Sequence, residues 1–451
     1  MNILIVRSFG SKIDATSYNV QEIGLAKAWV RAGHQADVVL YGGRDDDRTV
    51  LMPVDDTGVV RYDENLLGDD AYAPEGNIDR GDPDRFISVY YLSGVSILKN
   101  GFFFSLKELS KNYDFIQVHE YDQITSWLYY TDKKLRDKVV IYHGPYYHEF
   151  NKGYNLKCKV FDNTFLRLKS APMTTCYTKS IPAAEFLRSK GFKNVYPVGV
   201  GLDTDAWDDI AEAGDTDASV RIVGTEFGNA LMKADSVIRT SLDEGADSSP
   251  KAADNPAVAD NRSGHRFFTY IYVGKIEPRR NSMFLADIAN RLLRTHDDVR
   301  FIIIGDGDIE YKGRFLAKIR KWIDAGRIIY ASKASQEEMS VIYGMADCML
   351  FPTIYDIYGM VLAEAIYFGL PVITSNNGGA GMLYEDGKDA VVLDDMTLDT
   401  WVEAAEKMHD DVNLRNRIRV ALLDKKQMLS WDNVVRQMLK TWPKKEMERV
   451  R

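Results

Sequence analysis

Short, continuously apolar runs rich in β-branched residues recur along this chain, and each is followed by a longer stretch of helical period. The first half has ILIV at 3–6, ADVVLY at 36–41, FIQVH at 115–119, VVIYHG at 139–144 and TTCYT at 174–178. The second half has FTYIYVG at 268–274, FIIIG at 301–305, RIIYA at 327–331, CMLFPT at 348–353, PVITS at 371–375 and AVVLD at 390–394. Runs of this kind suit parallel strands covered on both faces. Between them Phe284, Ile288 and Leu292 recur at four-residue spacing, as do Leu285, Ala289 and Leu293, which marks a helix. Strand–helix alternation implies right-handed βαβ units. Two such series imply an α/β chain of two Rossmann-like, doubly wound domains facing across a cleft, with ligands at the carboxyl ends of the strands.

The series are separated by residues 208–264. This stretch is acidic, and from 243 to 264 it has almost no large apolar residue. It cannot bury enough surface to offset its ordering entropy, so it reads as a partly flexible linker or insertion, with a helical pattern over 220–242. The expected first domain is therefore 1–207 and the second 265–430. A second acidic, turn-rich stretch covers 43–86.

Composition excludes several classes. The net charge of −9 over 451 residues argues against a nucleic-acid binder, which needs a basic face. Cys158, Cys176 and Cys348 form neither a disulfide framework nor a zinc pattern, and they read as reduced thiols in the cytosol. The N-terminal MNILIVR is too short for a signal-peptide core and reads as a buried strand. No apolar run approaches the ~20 residues that span a bilayer. No His/Cys cluster has metal-ligand spacing.

The strongest motif is FPTIYDIYGMVLAEAIYFGLPVITSNNGG at 351–379. A strand ends at Pro352, a loop follows, and a helix opens near Gly359. The free N–H groups of a helix start form an anion site suited to a diphosphate. Glu364 lies one to two turns inside, where its carboxylate can accept from two vicinal ribose hydroxyls. Asp356 lies before the helix, within reach of a sugar hydroxyl. A second motif, YVGKIEPRRN at 272–281, follows the first strand of the second half. Lys275 and Arg280 are cations at a strand end, placed to stabilise the charge of a departing diphosphate. Arg280 can chelate phosphate with two N–H groups, whereas Lys275 acts as a point charge. In the first half, His119 and His143 end strands. Asp45-Asp46-Asp47 reads as solvated loop charge and Gly305-Asp306-Gly307-Asp308 as a turn, not as metal sites.

In these segments the chain resembles retaining glycosyltransferases of family 4, which have the GT-B fold. The resemblance covers nearly the whole chain except 43–86 and 208–264. The 351–379 segment corresponds to the family's Glu-x7-Glu motif, with Asp356 in place of the first Glu. The resemblance implies that Glu364 holds the ribose and Asp356 the donor sugar, and that the backbone N–H groups of Tyr358, Gly359, Met360 and Val361 meet phosphate or sugar oxygens. It implies phosphate contacts for Lys275 and Arg280, with the family's Arg and Lys exchanged and Asn281 standing for a Gly. It implies a donor-sugar contact for His119. The family's Gly-Gly near the first helix falls on Thr16 and Ser17, whose hydroxyls could donate to phosphate in its place. The last segment, 431–451, is expected to return to the first domain as a helix.

The resulting expectation is a retaining, hexosyltransferase-type enzyme. It would move a sugar from a nucleoside-diphosphate donor to a glycan or lipid-linked acceptor in polysaccharide or glycolipid assembly, with no metal or other cofactor. The alternatives are a GT-B-fold sugar-nucleotide epimerase and a catalytically silent nucleotide-sugar-binding subunit. Residues 151–200 carry nine Lys/Arg against two Asp/Glu. Lys152, Lys157, Lys159, Arg167 and Lys169 interleave there with Leu156, Val160, Phe161, Phe165, Leu166 and Leu168. This reads either as a core-packed helix with a solvated rim or as a surface that docks on anionic membrane. The expected location is the cytoplasm, with peripheral contact at the cytoplasmic membrane face. Lys444, Lys445 and Arg449 could add to that contact.

Overall fold

The structure is a computed structural model and describes residues 1–15, 20–53, 86–204, 207, 222–245 and 267–442. The chain divides into two compact units, Met1–Asp205 with Gln427–Arg451, and Ala206–Lys426.

In the first unit the strands are β1 (Asn2–Val6), β2 (Gln35–Gly43), β3 (Arg48–Pro53), β4 (Phe86–Ile97), β5 (Asn100–Phe103), β6 (Phe115–His119), β7 (Val139–His143), β8 (Thr175–Thr178) and β9 (Asn194–Pro197). They form one sheet in the order β3-β4-β2-β1-β6-β7-β8-β9, with β5 paired to β4. All pairings are parallel except β3 with β4 and β4 with β5. Helices of eight residues or more in the N-terminal part of this unit are α1 (Gln21–Arg31), α2 (Ile124–Thr131), α3 (Lys152–Phe161) and α4 (Ile181–Ser189). Leu4, Val6, Ile116, Val118, Val139 and Ile141 lie in the core, as their continuous apolar runs require.

The second unit begins with α5 (Glu226–Gly245) among the described residues. Then come β10 (Phe268–Val273), α6 (Ser282–Thr295), β11 (Val299–Ile304), α7 (Ile309–Asp324), β12 (Ile328–Ala331), α8 (Gln336–Gly344), β13 (Cys348–Phe351), α9 (Met360–Tyr367), β14 (Val372–Ser375), β15 (Val391–Leu393), α10 (Leu398–Asp410) and α11 (Val412–Lys425). The sheet order is β12-β11-β10-β13-β14-β15, parallel throughout. A final helix, α12 (Trp431–Thr441), packs in the first unit.

The unit boundaries differ slightly from 207 and 430, and packing explains why. Trp207 is buried against the rings of Tyr367 and Phe368, both at 5.1 Å, so it belongs to the second unit. Leu202 donates its amide to the Leu429 carbonyl at 2.7 Å, so the return begins before α12. Trp431 then sits over Gly24 and Gly201, where any Cβ would collide with its ring. Tyr177 Oη donates to the Met438 carbonyl at 2.9 Å, and Arg31 pairs with Asp432 at 2.8 Å.

Of the expected linker, residues 226–245 are the helix α5. Glu226 accepts from the amide and hydroxyl of Ser332 at 2.6 and 2.8 Å, and Asp235 pairs with Arg300 at 3.4 Å. The helix thereby covers the edge strand β12. Residues 208–221 and 246–264 lie outside the described residues. Neither β3, within 43–86, nor β4, which begins at its end, was anticipated. Asp47, read as solvated charge, accepts from the Ser93 amide and hydroxyl at 2.6 and 2.8 Å and fixes β4. The three cysteines are buried and free, and burial raises the thiol of Cys158 to about 12. No helix of the described residues is long and apolar enough to cross a membrane.

Candidate functional site

The order of the second sheet reverses between β10 and β13, so the loops after these two strands emerge side by side at their carboxyl ends. That is where an open α/β sheet offers a ligand crevice. The amides of Ile354 and Tyr355 donate to the Arg279 carbonyl at 3.1 and 3.4 Å and clip the two loops together. The clip brings the two motifs into contact. Arg280 Nη1 ion-pairs with Asp356 Oδ2, and Asp356 Oδ1 accepts from the Ile357 amide at 2.8 Å. The guanidinium lies 5.5 Å above the Phe351 ring, with its buried Nε unpartnered. Arg280 is thus no solvated loop charge, and its partner at rest is Asp356. Lys275 is exposed and has no ion pair among the described residues. Asn281 has φ +53, which shows what the departure from Gly means: the position needs a left-handed backbone, and Asn tolerates one.

Gly359 caps α9 in a left-handed conformation, φ +75. The Leu362 and Ala363 amides donate to its carbonyl at 2.8 and 3.3 Å. No acceptor among the described residues takes the amides of Gly359, Met360 and Val361. They are the orphan donors of a helix start, and they suit an anion. Tyr358 is buried beside them. Glu364 lies on the buried side of α9, and its Oε2 accepts from Tyr343 Oη at 2.6 Å. Tyr343 comes from α8 and has no signal in the motif. Asn377 was also missed. Its Oδ1 accepts from the Gly379 and Ala380 amides at 3.0 and 3.1 Å, bracing the loop under Tyr358.

The first unit has its own reversal, between β1 and β6. His119 ends β6 as expected, but it is 2% exposed. Its Nδ1 lies 3.1 Å from Glu22 of α1 and its Nε2 3.1 Å from Gln117 Nε2, so both ring nitrogens face the interior. Burial raises the Glu22 carboxyl, but the His119 ring and Arg7 outweigh it and bring it down to about 2. Thr16 and Ser17 lie outside the described residues.

Beyond His119, Glu120 adopts φ +62, a strained backbone for a non-glycine residue. Its carboxylate meets His143 Nδ1, accepts from the Gly144 amide at 3.2 Å, and lies 4.0 Å from Lys179. Burial raises this carboxyl too, and His143 and Lys179 more than offset it, to about 2. Glu120, Asp122 and His143 bring donor atoms within 4.8 Å of one another, a spacing a metal could use. Lys157 already pairs with Asp122 at 2.8 Å and Lys179 faces Glu120, so a cation would have to displace two ammonium groups.

Residues 257–421 match the family model described as glycosyl transferases group 1. The chain is similar in structure to HepE from Anabaena, solved in complex with UDP-glucose, with a TM-score of 0.57, 14% identity, and coverage of 98% of this chain and 99% of that one. The fold is that of the GT-B glycosyltransferases. Among curated relatives, an alpha-D-kanosaminyltransferase from Streptomyces kanamyceticus is 26% identical over 33% of this chain and 38% of its own. A UDP-Gal:alpha-D-GlcNAc-diphosphoundecaprenol alpha-1,3-galactosyltransferase from Escherichia coli is 24% identical over 34% of this chain and 41% of its own. The alignments therefore span less than half the length of these relatives.

Proposed function

We propose that the protein is a family 4 glycosyltransferase that moves a sugar, with retention, from a nucleoside-diphosphate sugar to a glycan or lipid-linked acceptor. The observation that carries this reading is the reversal point of the second sheet. There a half-buried guanidinium pairs with Asp356 beside three unclaimed helix-start amides, with Glu364 inside the same helix and an exposed ammonium, Lys275, on the loop after β10. Arg280, Lys275 and the amides of Gly359, Met360 and Val361 would take the diphosphate and stabilise its charge as the glycosidic bond breaks, without a metal. Glu364, steadied by Tyr343, would accept from the ribose, and Asp356 from a sugar hydroxyl. The leaving phosphate oxygen would take the acceptor proton on the same face, so no protein nucleophile is required. UDP-glucose in the HepE complex supports a nucleotide-sugar donor, and the diphosphoundecaprenol in the Escherichia coli relative's name supports a lipid-linked acceptor.

The reading extends to polysaccharide or glycolipid assembly at the cytoplasmic membrane face. On α3 and its helical continuation through Asp162–Leu166 to Leu168, Leu156, Val160 and Leu168 are 65%, 55% and 78% exposed, while Cys158 and Phe161 face the core. Lys152, Lys159, Arg167 and Lys169 are exposed around them, a combination suited to anionic lipid. Titration calorimetry tests the donor site: Arg280→Ala should weaken binding of free UDP, GDP or ADP, whichever binds, by ~1.5–3 kcal/mol. Unchanged affinity would remove Arg280 from the site. Turnover of a labelled donor with and without acceptor extract separates a transferase from an epimerase, which needs no acceptor, and from a silent subunit.

A further inference from the structure

The β4–β5 hairpin ends in a turn that its sequence does not favour. Ile97 pairs with Asn100, leaving Leu98 and Lys99 as a two-residue loop with φ +49 and +66. Such turns favour Asn-Gly, and other L-residues adopt them at a cost. Asn-Gly does occur, two positions later, at 100–101. Those residues are committed elsewhere. Asn100 Oδ1 accepts from the Ile124 amide at 2.9 Å, and the Gly101 amide donates to the Ser8 carbonyl at 3.0 Å. The Gly10 amide donates to the Lys99 carbonyl at 3.0 Å, which fixes the turn from its other side. The hairpin base is therefore rigid, and it pushes Leu98 outward to 87% exposure, beside Ile97 at 53%. Phe104, just past β5, is 66% exposed.

We infer that this tip is a wedge that enters the interface of an anionic bilayer. Residues 86–107 contain no Asp or Glu in an otherwise acidic chain, while Lys99 at the tip and Lys107 behind it are exposed cations. Aliphatic side chains ahead of a lysine suit the boundary between acyl chains and lipid phosphates. The fixed turn presents them with little left to order on binding. Helix α2 braces both this wedge and the basic helix. Its first amide holds Asn100, and Trp127 Nε1 donates to the Lys169 carbonyl at 3.0 Å with its ring against Phe165 at 5.1 Å. The inference deepens the membrane docking proposed above and rests on it.

The test is co-sedimentation of the full chain with phosphatidylcholine vesicles, with and without phosphatidylglycerol. Leu98→Asn combined with Lys99→Gly installs the favoured turn and removes the wedge. This variant should melt no lower than the parent, keep its activity on a soluble acceptor, and bind anionic vesicles about tenfold more weakly, the scale of one buried aliphatic side chain. Full vesicle binding by the variant overturns the wedge and assigns the tip to a protein partner or to solvent. A separate variant, Leu156→Ser with Val160→Ser, reports on the helix. Loss of binding in that variant alone would sink the hairpin and spare the helix. No binding by the parent to anionic vesicles would sink both, leaving the transferase reading to the turnover assay.

Discussion

Both sheets reverse order beside their first strand, yet the two reversal points are furnished in opposite ways. In the first unit His119, Glu22, Glu120 and His143 are buried, and each carboxylate is paired with a ring nitrogen. In the second, Asp356 is buried and Arg280 partly so, but Lys275 is exposed and a helix start leaves three amides without acceptors among the described residues. A buried, balanced network is rigid and costly to break, whereas an exposed lysine and a guanidinium with an unpartnered Nε, beside orphan donors, still have capacity for an anion. Topology offers each unit a crevice, and the degree of internal pairing distinguishes a ligand site from a structural knot.

The largest expected effect tests the structural side. Glu120→Gln leaves His143 and Lys179 without their carboxylate and should cost about 3–5 kcal/mol in urea unfolding, as for half of a buried pair. A loss within about 0.5 kcal/mol, typical of surface positions, would collapse the contrast. Acid sharpens it. Glu22 and Glu120 lie near 2 when folded, against an ordinary 4.5. Their contribution is thus complete above about pH 4.5 and is lost as pH falls toward 2. The gap between the Gln variant and the parent should narrow over that window.

Glu364→Gln tests the ligand side. Tyr343 can still donate to the amide oxygen, so the fold should lose far less than with Glu120→Gln. Turnover should fall by at least ~10²-fold, the scale of one charged contact made in the reacting complex. Near-parental kcat/KM in the folded variant would take Glu364 off the site.

The parallel strands other than β4 and β9 were legible in the sequence because buried parallel strands must be apolar without interruption; those two were missed. β3 and β5 were not legible either, since they are short additions whose pairing depends on distant partners such as Asp47 with Ser93. The loop-to-helix segment at 351–364 was legible because its strand end, Gly359 and apolar helix are contiguous. Its contacts were not. Tyr343 reaches Glu364 from another helix, and Arg280 meets Asp356 only because β10 and β13 are neighbours. His119 could be located at a strand end from the pattern, but its burial depends on Glu22, which a string does not bring near.

The smallest effect concerns the pair that closes the second unit's site. Arg280 is paired with Asp356, so a phosphate must compete with a carboxylate for the same guanidinium. Asp356→Asn removes the competitor and a like charge together. Free nucleoside diphosphate should then bind more tightly, by about 1 kcal/mol, the net scale of one exchanged hydrogen bond. On the proposed role of Asp356, turnover should still fall, because a donor sugar would lose its carboxylate acceptor. The gain should vanish in an Arg280→Ala background, since neighbours acting through one contact are not additive. Calorimetry on the two single variants and the double variant closes the cycle. Weaker diphosphate binding by Asp356→Asn alone would mean that the carboxylate aims Arg280 at the phosphate, and the second unit's pair would then resemble the first unit's, a positioning contact with no spare charge.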